Sequence, residues 1–214
     1  MRQLSGRITF LSASVGLILF IALHFLKPEL DPDWHMVSEY ASGRHGWMMT
    51  LCFSCLSLAC LALAFALSSL LRTTGGRLGL VLLTCAAAGL AVAAAFPTDP
   101  ISVGPGDASR SAHIHGLSVM VGVPALTLAA LLISLPVVRM RRWSKGRTLI
   151  LCFAHLVWIS FALTAGVVAV SLPGSGGFGP EVPVGWPNRF MFIAYFGWLG
   201  TLSWPLLRSP GAPE

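Results

Sequence analysis

Carboxylates and histidines are the side chains that acid–base chemistry and metal binding draw on, and in this chain they are gathered. Seven of its eight acidic residues (Glu29, Asp31, Asp33, Glu39, Asp99, Asp107, Glu181) lie in three polar segments. The first, 26–47, reads LKPELDPDWHMVSEYASGRHGW; the second, 96–116, reads FPTDPISVGPGDASRSAHIHG; the third, 173–190, ends in GWPNRF. Five of six histidines (His24, His35, His45, His113, His115) fall in or beside the same segments.

The pair His113 and His115 raises a metal reading, with Asp99 as a third ligand and zinc as the ion such donors suit. A catalytic zinc site ordinarily has three protein ligands. On a helix, however, residues two apart point to nearly opposite sides, so at most one of the two histidines faces inward. His115 is the better inward candidate, with Ser118 and Gly122 forming a small, polar stripe beyond it. Asp99, in PTDP, is either a turn-forming aspartate between prolines or a carboxylate that orients His115. Ser38, Glu39 and Arg44 precede the second apolar run. Ser38 could cap a short interfacial helix, with Trp34, Tyr40 and Trp47 at headgroup depth, where aromatics collect. No G-x-S-x-G or comparable signature supports a serine nucleophile. Arg189 is an anion-binding candidate at the start of the last apolar run.

The elements that position these residues follow from composition. Of 214 residues, 55% are hydrophobic and 10% charged, and the mean hydropathy is +0.78. Soluble domains carry about 25% charged residues, so the bilayer is the solvent that fits. Six apolar runs, 8–26, 46–71, 78–96, 113–138, 148–172 and 189–207, match the roughly 20 residues a spanning helix needs. The expected fold is all-α: a polytopic membrane protein, one six-helix transmembrane domain over 1–214. Arg2 and Arg7 precede a first run longer than a signal-peptide core, so it is read as a retained helix. In the third run, small residues four apart (Thr84/Ala88, Cys85/Gly89, Ala87/Ala91, Ala91/Ala95) permit close backbone approach, which predicts a central helix.

Orientation follows from the basic residues of short loops. An N-in, C-in topology puts ten of fourteen Lys and Arg inside (Arg2, Arg7, Arg72, Arg77, Arg139, Arg141, Arg142, Lys145, Arg147, Arg208) and four outside (Lys27, Arg44, Arg110, Arg189). That topology also collects the acids and histidines outside, a result not built into it. The net charge of +6 is thus a matter of membrane orientation. It does not form the continuous basic face a nucleic-acid binder presents. All five cysteines sit in apolar stretches, which excludes a disulfide framework. The Cys52–Cys55 C-x-x-C reads as buried thiols. His155 stands apart, about 10 Å into the fifth span at 1.5 Å per residue.

The ordered motifs SEYASGRHGW, FPTDP, HGL and NRF resemble those of a prokaryotic six-helix membrane family catalogued as domain of unknown function 998. Members typically show I-S-E-L-G-A at the first position, F-P-x-D at the second and a histidine opening the fourth helix. The resemblance implies a prokaryotic cytoplasmic membrane. It also implies that Ser38, Glu39, Pro97, Asp99, His115 and Arg189 are the matched positions. Val37 and Tyr40-Ala41 depart from the family's Ile and Leu-Gly, and His35 and His113 have no motif counterpart. A looser likeness of layout to alkaline-ceramidase-like hydrolases is analogy only.

Two readings of function follow. In one, the outer cluster ties three loops together in a binding or accessory protein embedded in the bilayer, taking a lipid or small-molecule ligand. In the other, it is a lipid hydrolase or transferase, with zinc as the metal its ligand types suit. Glu39, Asp99 and His115 would then be catalytic, with Ser38, Arg44 and Arg189 binding the headgroup.

Overall fold

A computed structural model describes residues 1–104, 106–175 and 177–208. The remaining positions, 105, 176 and 209–214, belong to the second and third polar segments and to the C-terminal end of the domain read from sequence, and lie outside the described residues. Six helices are long and apolar enough to cross a membrane: α1 (Arg2–Leu26), α2 (Gly46–Leu67), α3 (Thr74–Ala95), α4 (Arg110–Val137), α5 (Arg147–Ser175) and α6 (Gly185–Ser203). Shorter helical turns occur at Val37–Ala41, Arg141–Gly146 and Trp204–Leu207.

The helices run further than the apolar stretches because the hydrogen-bond ladder continues into polar sequence once a cap or turn supports it. Ser109 begins α4, its hydroxyl accepting from Ala112 N at 3.1 Å. α6 starts at Gly185 rather than Arg189, because Pro187 falls in the first turn, where its missing N–H costs nothing. Gly185 is also the residue that fits there. Its N–H donates to Asp33 O at 2.9 Å, and a Cβ would run into the Pro32 carbonyl. α2 stops at Leu67 rather than Leu71, as Ser68 turns its hydroxyl back on Phe65 O at 2.8 Å.

Each helix packs against its neighbour in sequence, α1 closes the ring on α6, and α2 touches α6 across the middle. In α2 and α6, 56% of the apolar stretch is buried, against 39% in α3. The centre is therefore α2 and α6, and the central position expected for α3 is not what the small residues produce. They serve one face only: a Cβ on Gly89 would sit 2.8 Å from Ser118 O and 3.0 Å from the Gly122 Cα. Leu78 and Val81, on another face of α3, are exposed. Close approach to one partner does not require a second.

The two ends of the bundle differ in chemistry. At one, Gln3 Nε2 donates to Leu207 O at 2.9 Å and Arg2 to Ser69 Oγ at 2.8 Å. Arg142 donates there to Pro205 O and Arg208 O at 3.1 and 2.8 Å. This end gathers the start of α1, the Trp204–Leu207 turn with Arg208, and the basic connections. The three polar segments occupy the other.

Candidate functional site

At the polar end the side chain of Arg189, 1% exposed, is the hub. Its Nε donates to His24 Nε2 at 3.1 Å; one terminal nitrogen donates to the carbonyls of Pro32, His35 and Gly185 at 3.2, 2.7 and 3.1 Å; the other donates to the Tyr40 hydroxyl at 3.1 Å. His24 must then carry its proton on Nδ1, which donates to Phe20 O at 2.8 Å. These contacts join α1, the first polar segment and α6. They commit the guanidinium to protein acceptors rather than to an anion from outside.

Glu39 is the second tie, 3% exposed. One oxygen accepts from Met36 N at 2.8 Å. The other accepts from Ile101 N at 3.0 Å and from His35 Nδ1 at 2.9 Å, stitching the first polar segment to the second. Lys27 is buried as well, its ammonium donating to the Tyr40 and Ser42 carbonyls. Loss of solvation pushes its pKa below the ordinary 10.5, against the opposing pull of Glu29 and Glu39. Among the described residues the one ion pair is His35–Glu39.

Asp99 closes the second segment on itself, accepting from Ser109 N at 2.6 Å and Ser109 Oγ at 3.0 Å. His113 is exposed, its Nδ1 3.0 Å from Ser109 O. His115 is 4% exposed, with Nδ1 donating to Phe96 O at 2.9 Å and Ala93 O at 3.2 Å. It thus ties the start of α4 to the end of α3, and the ring meets Phe53 edge-on at 5.8 Å. Among the described residues no three His, Cys, Asp or Glu side chains group so as to hold a metal ion. Asp99 and His113 both engage Ser109, and His115 turns away to Phe96 and Ala93.

Below the polar ties lies a cavity of about 190 Å³, lined by α2, α3, α4, α5, α6 and the Met36–Ser38 turn. Ser38 and Asn188 stand at its polar mouth, Gly89 and Gly122 leave the room, and Leu126 and Tyr195 form the floor. From Asn188 to Tyr195 on α6 is about 10 Å at 1.5 Å per residue. The α4–α5 seam beside it is loosely closed. α5 buries Ile150, Ala154, Val157 and Ser160, a helical stripe confined to its first half. Beyond it Phe161 and Thr164 are half-buried and Ala165 is exposed, although all three line the cavity. The gap lies within the apolar stretch of α5.

The sequence candidates therefore separate. Glu39 and Arg189 share the first polar segment, Ser38 borders the cavity, His115 lies behind its Phe53 wall, Asp99 and His113 cap α4, and Arg44 is exposed. Ser38 caps nothing: the turn begins from Met36, and Glu39 supplies the cap bond. Tyr40 is buried at 1% exposure, its hydroxyl accepting from Arg189. Sequence reasoning missed Asn188, whose Oδ1 accepts from Val37 N at 3.0 Å. Its place beside Arg189, on the face carrying Met191 and Phe192, was the available signal. His155 faces outward and accepts from Trp158 Nε1 at 3.0 Å. Cys52 and Cys55 are free thiols, Cys52 donating to Gly16 O at 3.4 Å.

Six apolar helices around a small internal cavity define a multi-pass helical membrane protein. Residues 10–205 match the family described as Protein of unknown function (DUF998), and the chain belongs to that family. No curated protein and no solved structure matches it.

Proposed function

We propose that the protein binds one lipid-type molecule, admitting its apolar tail into the cavity through the α4–α5 seam, and that it performs no reaction on it. The observation carrying this reading is the cavity itself: a largely apolar chamber among helices long and apolar enough to span a membrane, bounded by half-buried residues of α5 and bordered by Ser38 and Asn188. Pockets that hold ligands are mostly apolar with a few placed polar groups. The hydrolase reading needs Glu39, Asp99 and His115 to converge on one atom, whereas their hydrogen bonds engage three different stretches of backbone. Ten basic residues against four favour N-in, C-in insertion, with the cavity mouth toward the outer surface of a cell membrane.

The test is native mass spectrometry of protein purified in mild detergent, beside the Ala165→Trp variant. Ala165 is exposed toward the seam, so an indole there blocks the passage without entering a packed core. Wild type should retain one lipid per chain, and the variant should lose at least about tenfold in occupancy, equivalent to 1.4 kcal/mol, at unchanged thermal stability. Equal retention in both proteins would refute the proposal.

A further inference from the structure

The chemistry of the cavity mouth selects a class of ligand, an inference that rests on the lipid-binding reading above. Asn188 is 8% exposed and lines the cavity. Val37 N–H can only donate, so the atom it meets at 3.0 Å is the amide oxygen. The Nδ2 group is thereby turned away from the turn, and it has no hydrogen-bond partner among the described residues. No buried side-chain nitrogen or oxygen sealed from solvent is left without a partner among them. Nδ2 must therefore open onto space, and the space beside Asn188 is the cavity. Ser38 also lines the mouth, and its hydroxyl likewise has no partner among the described residues.

Two uncommitted donors thus border a largely apolar chamber, whose other hydroxyls, on Ser118, Thr164 and Tyr195, are already bonded to the carbonyls of His115, Ser160 and Val123. No charged side chain lines it, and Arg189, next to Asn188 in the chain, spends its donors on five protein acceptors. A charged carboxylate or phosphate drawn to this depth would be desolvated without a counter-charge, which is costly. A neutral acceptor would not be. We infer that Asn188 Nδ2 and Ser38 Oγ recognise the carbonyl oxygen of an acyl ester or amide, so that the ligand is an uncharged acyl lipid whose carbonyl sits at the mouth, the first carbons of its chain filling the cavity and the remainder leaving through the α4–α5 seam. An ether oxygen accepts hydrogen bonds poorly, and an ether-linked lipid of equal chain length should bind less well.

The experiment loads delipidated protein in nanodiscs with 1-oleoyl-glycerol, its ether analogue 1-O-oleyl-glycerol, or oleate at pH 8, and counts occupancy by native mass spectrometry. The ester should bind about three- to tenfold more tightly than the ether, the value of one or two neutral hydrogen bonds, and more tightly than oleate. Ser38→Ala, which removes no bond from the fold, should reduce that preference. Asn188→Asp keeps an oxygen for Val37 N–H while removing the donor, and should abolish it. Ester and ether bound equally, or a preference untouched by both variants, would overturn carbonyl recognition while leaving the cavity reading intact. Failure of all three probes to bind would overturn the cavity reading itself.

Discussion

Arg189→Met should destabilise the folded protein by several kcal/mol, at about 1–3 kcal/mol for each buried acceptor left without a donor. Methionine fills much of the volume but donates nothing, so His24 Nε2, the Tyr40 hydroxyl and the carbonyls of Pro32, His35 and Gly185 all lose a donor at once. Buried acceptors left unpaired cost more than the bonds gained when they were made. Arg189→Lys should recover little. An ammonium is a single point of donation and cannot span acceptors fixed around a planar fork. The guanidinium also lies 5.5 Å from the centre of the Tyr40 ring, a contact lysine would not reproduce in the same geometry. Unfolding in mixed micelles reads the loss directly. A midpoint within error of wild type would mean that the three segments are held by something else.

Glu39→Gln should cost about 1–3 kcal/mol, the range for a buried polar group left unsatisfied, although the change is nearly isosteric. The carboxylate accepts three times, from Met36 N, Ile101 N and His35 Nδ1. A glutamine offers one accepting oxygen and turns an N–H₂ toward at least one of these donors, so attraction becomes repulsion at that position. The diagnostic readout is local. Amide exchange should accelerate at Ile101 or at Met36, whichever N–H meets the new N–H₂, while amides in the middle of α2 should keep their protection. Uniform protection across both segments would deny Glu39 this role.

These ties explain which parts of the molecule were legible in the sequence. The six spans and the separation of basic from acidic and histidine residues follow from transfer free energy and loop charge alone, which act residue by residue. His115 was legible as the inward histidine because helical periodicity forces a choice between it and His113. Helix ends were less legible, since apolar runs mark only the hydrocarbon-facing part of a helix. α6 gains its first turn from Pro187 and from the fit of Gly185 against Pro32. The roles of Tyr40 and Asn188 depend on partners from α6 and from the first polar segment, 149 and 151 residues away along the chain, and no local pattern encodes those meetings. The cavity was least legible of all. It lies where α5 stops burying residues after Ser160, which no single residue's own preference encodes. Small residues at Gly89 and Gly122 read equally well as tight packing, and in the structure they provide both a close crossing and the adjoining room.

The central claim is that lipid enters between α4 and α5 and rests inside the bundle. Photolabelling with an acyl glycerol that carries a diazirine within the first carbons beyond the carbonyl tests it most directly. Peptide mapping should find adducts on Val123, Leu126, Phe161 or Phe192, which line the cavity, and these should fall away when unlabelled lipid competes. Adducts confined to Ile18, Val81 and Val170, which face outward, and indifferent to competitor would contradict it.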